Sequence, residues 1–494
     1  MRKRKRKIAA LLAAALLLCV LPACGGKGSG TKQPDDKGLY RIVSTHSGRA
    51  MASRDFGLQE GAFAELQAFA GDLNQVWRML RQDDGSYVLE NLSCLTRLTV
   101  KQDDDSDGVQ ACVKTGDPAE LFKWELEYRG DDVYAIKSAA TGKYLQSLKD
   151  NKMNGTPIVQ WEKDGGESQE WELVKLDDGT RELPVMLMLS GSVEHSSTPE
   201  IQRVGNGYYL CAMQDGVSIK YSKDMRNWTK IGNVISNLTG MPFSWMREVI
   251  PSNETSGIWA PGIYKVGERF CLYYTLSVNY KQTSAIGLMT NTTLDHTSPE
   301  YKWADRGPVV VSKVGDDFNA IDPNVIHDDD GQAWLVYGSS WTGIKLRKLD
   351  MKTGLTSQAE PEVYSLASRE SIDRAIEAPY MIKRGEYYYL FCAVEPMERN
   401  YRWAVGRSKS VTGPFTDRKG VDMMQGGSTD VTQGKQGVEL PGHASVFVDD
   451  DGSYYMVTEY FKSNSNSLLG IGTMLWDDEG WPVTALSPNL FPKK

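Results

Sequence analysis

A short sequence pattern returns five times over roughly the last 300 residues, and it limits the possible fold more than any other feature. Each copy continues from its opening motif into an apolar segment, a Gly or Asp-Gly turn and an aromatic-rich stretch typical of a β-strand. The five opening motifs are Thr198-Pro199, Ala260-Pro261, Asp322-Pro323, Ala378-Pro379 and His443-Ala444. A period of about 60 residues with several β-rich stretches in each unit is typical of a propeller blade. The five copies therefore predict a five-bladed β-propeller.

The register of this repeat predicts which side chains meet. Equivalent residues of a propeller occupy equivalent places around one axis. Asp322 and His443 share the first motif position, and Glu377 and Trp259 share the position before it. If these strand starts line the central channel, the four side chains converge on one pocket. Carboxylates in a shared, semi-enclosed pocket acquire different pKa values, as acid and base catalysis requires. Two facing carboxylates beside a tryptophan indicate glycoside chemistry.

Longer motifs carry a resemblance to a known family. They are Trp259-Ala-Pro, Ala320-Ile-Asp-Pro-Asn-Val, Trp334-Leu-Val-Tyr-Gly-Ser-Ser-Trp341, Ile376-Glu377-Ala-Pro-Tyr, Gly406-Arg-Ser-Lys-Ser-Val-Thr-Gly-Pro-Phe415 and Pro441-Gly-His443. In this order, across roughly residues 190 to 485, the chain resembles glycoside hydrolase family 43, and within it the arabinanases. The resemblance implies an inverting hydrolase of plant cell-wall polysaccharide that acts on α-1,5-arabinan.

The same resemblance implies individual roles. Glu377 would be the general acid that protonates the leaving glycosidic oxygen, and Asp322 would orient this acid and tune its pKa. Trp259 and Trp341 would stack on sugar faces. His443 would lie on the propeller axis, where arabinanases often hold a cation, usually calcium. A single histidine is too little for zinc, and calcium here would also use water and backbone carbonyl oxygens.

The chain departs from the family pattern at two carboxylates. The family's first blade normally opens with Asp-Pro, where this chain has Thr198, and Gly262 stands where the family usually carries Asp. Threonine cannot act as a general base near neutral pH without a group that accepts its proton. A nearby carboxylate would have to replace it, and the candidates are Glu194, Glu200 and Asp215.

Three functions remain open at this point. The protein can be a hydrolase, with a replacement base or without a dedicated carboxylate. It can be a surface glycan-binding protein that does not cut its ligand, or a scaffold without a sugar site. Because the acid, its partner carboxylate, the tryptophan and the histidine are all present, the sequence argues against a scaffold. We expect the hydrolase.

A second repeat, with a period of 47 residues, occupies residues 38–176. It places three tryptophans and three tyrosines in register: Trp77, Trp124 and Trp171, and Tyr40, Tyr87 and Tyr134. Threefold repetition of short strands around buried aromatic residues predicts a β-trefoil, and this one resembles the ricin-type lectin domain. The places where such lectins carry a sugar-binding Asp hold Ala52, Thr99 and Gln146, and Trp161 is the candidate aromatic platform. Sugar binding and a packing or spacer role are both open.

The N-terminus predicts an extracytoplasmic location. A basic segment at residues 2–7 precedes an apolar stretch from Ile8 to Val20, and then Leu21-Pro-Ala-Cys24. This order is typical of a bacterial export signal that ends in a lipobox. Lipidation of Cys24 would anchor the chain to the bacterial membrane or cell surface. The Gly-, Ser- and Lys-rich segment that follows is typical of a flexible linker.

Charge and cysteine content fit this prediction. Removal of the signal would leave 50 basic against 64 acidic residues, so the chain is acidic, and it shows no basic patch typical of nucleic-acid binding. We therefore expect the partner to be a neutral polysaccharide or oligosaccharide, with membrane contact only through the lipid. We also expect a monomer. The five cysteines after Cys24 show no paired framework, which argues against a disulfide-stapled fold.

The sequence thus predicts an all-β protein with an N-terminal β-trefoil followed by a five-bladed β-propeller. The predicted segments are the signal peptide 1–23, the lipidated cysteine and linker 24–37, the trefoil 38–176, a linker 177–187 and the propeller 188–494.

Overall fold

The structure is a computed structural model that describes residues 32–100, 104–116, 119–236, 242–250, 256–397, 399–462 and 466–492. The predicted signal peptide and Cys24 lie outside these residues. Within them the regular structure is almost entirely β, with one short α-helix at Ser244–Val249. No helix in this part of the chain has the length and apolar character needed to span a membrane. The prediction of an all-β fold is confirmed.

The N-terminal domain is a single sheet of 12 strands. These are β1 Leu39–Ser44, β2 Ala50–Ser53, β3 Ala62–Gln67, β4 Trp77–Arg81, β5 Tyr87–Asn91, β6 Thr96–Thr99, β7 Cys112–Lys114, β8 Lys123–Gly130, β9 Val133–Ser138, β10 Tyr144–Ser147, β11 Thr156–Trp161 and β12 Glu170–Asp177. Short 3-10 helices lie between them at Arg54–Gly57, Leu73–Gln75, Glu120–Phe122, Leu148–Asp150 and Glu167–Gln169.

The repeated tryptophans form the core of this domain. All three are fully buried, and each indole N–H donates a hydrogen bond to the carbonyl oxygen 26 residues earlier. The pairs are Trp77 with Met51, Trp124 with Leu98 and Trp171 with Leu145, each at 3.0 Å. The same contact made three times gives the domain its threefold symmetry, as the 47-residue period predicts for a β-trefoil.

The repeated tyrosines bind the segment that enters the domain. The Tyr40 hydroxyl accepts a hydrogen bond from the backbone N–H of Asp35 at 2.9 Å. The hydroxyls of Tyr87 and Tyr134 donate to the carbonyl oxygens of Pro34 and Lys32, at 3.2 and 3.3 Å. The end of the predicted linker 24–37 is therefore attached to all three repeats.

The C-terminal domain contains five sheets, one for each copy of the 60-residue repeat, and their strands are antiparallel apart from one parallel pair at the edge of blade 1. Blade 1 has β13 Ser190–Gly191, β14 Ser197–Val204, β15 Gly207–Met213, β16 Gly216–Ser222 and β17 Asn227–Ser236. Blade 2 has β18 Ser256–Val266, β19 Arg269–Val278, β20 Ser284–Asn291 and β21 Ala304–Ser312, and blade 3 has β22 Asn324–His327, β23 Ala333–Tyr337, β24 Ile344–Lys348 and β25 Tyr364–Ala367. Blade 4 has β26 Ile376–Arg384, β27 Tyr387–Val394, β28 Arg402–Ser408 and β29 Thr429–Asp430, with a 3-10 helix at Met423–Gln425. Blade 5 has β30 Ala444–Val448, β31 Tyr454–Tyr460, β32 Leu468–Trp476 and β33 Pro482–Thr484. The predicted five-bladed propeller is confirmed.

The ring is closed by a segment that precedes blade 1. The N–H of Leu187 donates to the carbonyl oxygen of Ile471 at 2.7 Å, and the N–H of Thr473 donates to that of Val185 at 2.8 Å. Residues inside the predicted linker 177–187 thus hydrogen-bond along β32 of blade 5. This closure places blade 5 beside blade 1, which matters for the site described below.

The two domains pack directly against each other. One hydrophobic cluster contains Phe56 and Leu73 of the trefoil together with Val438 and Leu486 of the propeller. The Lys435 ammonium also pairs with the carboxylate of Asp72 across the junction at 2.6 Å.

Candidate active site

The openings of four blades share an unusual backbone conformation. The φ angles of Thr198, Ala260, Asp322 and Ala378 are 50°, 42°, 56° and 50°. Non-glycine residues rarely adopt this region, and such strain persists only where the surrounding structure imposes it. A break in strand register accompanies it in blades 1, 2 and 4. Bulges of this kind redirect side chains, here toward the propeller axis. His443, at the fifth opening, does not share the positive φ.

The strand starts meet at one cavity of about 620 Å³. Every predicted site residue of the propeller lines it: Thr198, Trp259, Asp322, Trp341, Glu377 and His443. The repeat register therefore predicted the correct set of side chains, although these six residues come from all five blades.

Two of these residues form a carboxyl pair. Asp322 is buried, its N–H donates to Thr275 Oγ1 at 2.9 Å, and its Oδ2 accepts from the N–H of Ala378 at 2.9 Å. Burial and the nearby charge of Glu377 raise the pKa of Asp322. The Tyr401 hydroxyl donates to Glu377 Oε1 at 2.8 Å. These contacts fix the position of Asp322 and hold the Glu377 carboxyl in a defined orientation.

A third carboxylate in the cavity was missed by the sequence reasoning. Glu459 in β31 is 5 % exposed and lines the same cavity. Ser197 and Thr198, at the start of β14, line this cavity with it, and the Ser197 hydroxyl donates to Ser467 Oγ at 2.7 Å. Burial, together with the charge of Glu377, raises the pKa of Glu459 to about 7. The sequence signal that could have indicated Glu459 is a charged residue near the end of an otherwise apolar and aromatic strand. The register of the opening motifs does not cover this strand, so it did not point to Glu459.

The sequence candidates for a replacement base do not reach this cavity. Glu194 is exposed, and its backbone carbonyl oxygen accepts a hydrogen bond from Lys220 Nζ at 2.9 Å. Asp215 is exposed in the turn between β15 and β16. Glu200 is buried, but it lines a separate cavity of about 30 Å³ among the blade openings.

Glu200 occupies the space of the second absent carboxylate. Its Oε2 accepts a hydrogen bond from the Tyr264 hydroxyl at 2.6 Å, and the Tyr380 hydroxyl lies 3.4 Å from its Oε1. A Cβ atom added to Gly262 would lie 2.4 Å from Glu200 Oε2. The glycine therefore provides room for a carboxylate that comes from the neighbouring blade. Burial raises the pKa of Glu200 to about 8.

The comparisons with known proteins agree with this geometry. The model of the glycosyl hydrolases family 43 matches residues 193–482, and that of the ricin-type β-trefoil lectin domain-like family matches residues 31–113 and 122–186. The chain belongs to glycosyl hydrolase family 43. It is therefore a glycoside hydrolase with an attached lectin-like domain.

Relatives and solved structures resemble the propeller portion. The extracellular exo-α-(1→5)-L-arabinofuranosidase ArbA of Cellvibrio japonicus is 39% identical over 301 residues, which are 58% of this chain and 84% of the relative. The extracellular endo-α-(1→5)-L-arabinanase 1 of Bacillus subtilis is 33% identical over 294 residues, 58% of this chain and 86% of the relative. The structure of Cellvibrio cellulosa α-L-arabinanase complexed with arabinohexaose is similar with a TM-score of 0.54 and 36% identity, over 59% of this chain and 96% of that one.

Aromatic side chains form the walls of the family 43 cavity. A Cβ atom at Gly257 would lie 2.1 Å from Nε1 of Trp259, so the absence of a side chain at Gly257 lets the indole lie across the strand. Trp341 has a φ of 35° and lies on the wall with part of its ring exposed. Tyr280, at the mouth, is 94% exposed. These rings offer flat apolar faces suited to sugar rings.

His443 lines both the active-site cavity and the smaller axial cavity. Burial lowers the pKa of His443 to about 4, so the imidazole is neutral and able to bind a metal. Among the described residues, no three His, Cys, Asp or Glu side chains are grouped to hold a metal ion. Calcium at the axis would depend on water and backbone carbonyls, and it stays a prediction.

The trefoil positions that would carry the sugar-binding Asp face inward. Ala52 and Thr99 are fully buried, and Gln146 Oε1 accepts a hydrogen bond from Gln169 Nε2 at 3.0 Å. Trp161 remains partly exposed. Sugar binding by this lectin-like domain stays a prediction.

Proposed function

We propose that this family 43 enzyme hydrolyses α-1,5-linked L-arabinan of plant cell walls with inversion at the anomeric carbon. The observation that carries the proposal is the cavity in which Glu377, Asp322 and two tryptophans converge. The relatives named above act on α-(1→5)-linked arabinose, and the related arabinanase was solved with a six-sugar arabinan oligomer. A cavity of about 620 Å³ has room for more than one sugar ring.

In the proposed reaction Glu377 protonates the glycosidic oxygen as the bond to the anomeric carbon breaks. The Tyr401 hydroxyl orients this carboxyl. Asp322 lies beside it, and burial and the charge of Glu377 raise the pKa of Asp322. Trp259 and Trp341 stack on the sugars on either side of the bond. These roles follow from the geometry and from the family resemblance together.

Thr198 takes the place of the family's general base in this proposal. Its Oγ1 is buried and has no hydrogen-bond partner among the residues that the structure describes. A hydroxyl without a proton acceptor cannot activate water near neutral pH. Inverting hydrolysis needs a carboxylate about 6.5–9.5 Å from the acid, so another residue must supply it.

The test is sugar release from linear arabinan and from arabinan, galactan and xylan oligomers. We expect turnover of arabinan oligomers by the wild type and its loss in Glu377→Gln. Glu386→Gln, a change in an exposed surface ion pair, is the matched control and should keep full activity. NMR of the first product should show the inverted anomer. Oligomer binding without turnover by the wild type would instead make this a surface glycan-binding protein.

We further propose that Cys24 carries a lipid and keeps the enzyme at the outer face of a bacterial membrane or cell surface. The support is the lipobox Leu21-Pro-Ala-Cys24 behind a basic and apolar leader. Cys24→Ser should move the protein from the membrane fraction to the soluble fraction of the producing cell. Unchanged membrane association of this variant would contradict the anchor.

The trefoil would add affinity for the polysaccharide. Two sites joined in one chain bind a polymer more tightly than either site alone. Trp161→Ala should weaken retention on insoluble arabinan while leaving turnover of short oligomers unchanged. Equal retention of the variant and the wild type would assign the trefoil a packing role.

A further inference from the structure

We propose that Glu459 is the general base of this hydrolase and replaces the carboxylate that the first blade lacks at Thr198. The assignment rests on the proposed function, since it names the group that activates water in the same reaction. Its grounds are the position of β31, the surroundings of the Glu459 carboxylate and the charges around it.

Ring closure explains how a residue of blade 5 reaches the opening of blade 1. The Ser445 hydroxyl donates to the carbonyl oxygen of Pro199 at 2.8 Å, and the N–H of Leu469 donates to that of Val193 at 2.9 Å. These two bonds hold the first residues of blade 1 against blade 5. Glu459 is paired with Leu469 across β31 and β32, and it lines one cavity with Ser197 and Thr198 at the start of β14.

The surroundings of Glu459 suit a base. Ser197 and Thr198, at the start of β14, line the same cavity as Glu459 and Glu377. The Ser197 hydroxyl donates to Ser467 Oγ at 2.7 Å. A carboxylate has about four acceptor positions, so Glu459 has capacity for a water molecule. Its side chain thus shares the cavity with residue 198, although its backbone belongs to another blade.

The charges around Glu459 suit the same role. Asp322 and Tyr401 line the same cavity, and the charge of Glu459 contributes to raising the pKa of both. The charged and titratable groups that share its cavity are Glu377, Asp322, Tyr401, His443, Lys281, Glu395 and Tyr280. A carboxylate with a pKa of about 7 is better matched to proton abstraction at neutral pH than one near 4.

The proposed step consumes one water molecule. Glu459 takes a proton from water while the water oxygen forms a bond to the anomeric carbon. The bond from that carbon to the glycosidic oxygen breaks, and the leaving oxygen takes the proton of Glu377. Solvent then removes the proton from Glu459 and returns one to Glu377, so both carboxyls recover their starting states.

The first experiment compares Glu459→Gln with the wild type on an arabinan oligomer. We expect kcat to fall by roughly 100- to 10,000-fold, the usual contribution of general acid–base catalysis. Oligomer affinity measured by calorimetry and the thermal midpoint should stay close to the wild-type values, because Gln has nearly the same size and shape as Glu. Glu386→Gln serves as the surface carboxylate control.

Two further variants distinguish a general base from a residue that only positions the neighbouring backbone. Azide should rescue Glu459→Ala and give an arabinosyl azide of inverted configuration, because azide attacks without losing a proton. Thr198→Asp in the Glu459→Gln background should restore at least a tenth of wild-type kcat. Asp tolerates the positive φ at this position, as Asp322 shows at the equivalent place in blade 3.

The outcomes distinguish the two proposals. An active wild type with Glu459→Gln within threefold of it would overturn the base assignment and leave the proposed function intact. Loss of activity that neither azide nor the Asp substitution restores would also overturn it, and would make Glu459 a positioning residue. A wild type inactive on every oligomer would overturn the proposed function, and the base assignment with it.

Discussion

The carboxylate of Asp322 accepts a hydrogen bond from the backbone N–H of Ala378 at 2.9 Å, directly beside Glu377. The contact joins blade 3 to blade 4 at the point where the proposed acid begins its strand. In the proposed reaction Asp322 acts on Glu377 in two ways, through the position of the backbone and through its charge. A substitution that keeps the hydrogen bond to Ala378 and removes the charge can distinguish the two effects.

Asp322→Asn is that substitution, because the amide oxygen can still accept from Ala378. We expect Glu377 to lose its proton at lower pH once the neighbouring negative charge is gone. The alkaline limb of the kcat profile should move to lower pH, with kcat at pH 7 lower by about tenfold for each pKa unit. An unchanged alkaline limb in pH-rate measurements would show that the charge of Asp322 does not tune the acid.

Tyr401→Phe tests the hydrogen bond that orients the acid. The Tyr401 hydroxyl is buried and donates to Glu377 Oε1 at 2.8 Å. A hydrogen bond to a charged group contributes about 1.5–3 kcal/mol, so kcat should fall roughly 10- to 100-fold with little change in KM. Tyr388→Phe, in the same blade but outside the cavity, should leave both constants unchanged. A rise in KM alone would place Tyr401 in substrate binding instead.

The pH dependence of the wild type should report the base. Burial raises the pKa of Glu459 to about 7, so below pH 7 its carboxylate is protonated and cannot accept a proton from water. We expect kcat/KM to fall about tenfold per pH unit on this acidic side. Because Glu377 and Asp322 interact with Glu459, the limb reports the coupled group of three. The acidic limb should shift in the double variant Thr198→Asp with Glu459→Gln, because a different carboxylate then acts as the base.

Glu200 should make the folded state less stable as pH rises. Its pKa is raised to about 8 in the fold against an ordinary value of 4.5. The folded state holds a proton that the unfolded chain has lost, so stability is greatest below pH 4.5 for this group and declines up to pH 8. The decline is at most about 1.4 kcal/mol per pH unit.

Glu200→Gln should remove that decline while keeping the hydrogen bond from Tyr264. Thermal midpoints of the wild type and the variant, measured from pH 5 to pH 8, give the comparison. The variant should become the more stable of the two toward pH 8. Parallel curves over this range would show that Glu200 does not titrate there.

The fold and most of the cavity could be predicted because both are periodic in the sequence. A 47-residue repeat of tryptophans becomes three equal indole hydrogen bonds, and a repeat of about 60 residues becomes five blades. Since blades are related by rotation about one axis, the register of the repeat also predicted that Asp322 and Glu377 share a cavity. No knowledge of distant contacts was needed for either result.

The carboxylate proposed to replace the missing base could not be predicted in this way. Glu459 shares the cavity with Thr198 from β31 of blade 5, which neighbours blade 1 only in the closed ring. Glu200 and Gly262, in contrast, hold equivalent places after Pro199 and Pro261 in adjacent blades, so the register places them side by side. The register compares equivalent residues of each blade, whereas Glu459 and Thr198 are not equivalent.

The sequence by itself therefore determined the two repeats, the propeller and trefoil they form, and the carboxyl pair in the cavity. Only the tertiary structure decided which group stands beside Thr198. The hydrogen bonds of Val185 and Leu187 to blade 5 close the ring and bring the two ends of the propeller sequence together. The physical reason is that a rotationally repeated backbone follows from local periodicity, whereas a contact across the closure depends on where the chain ends meet.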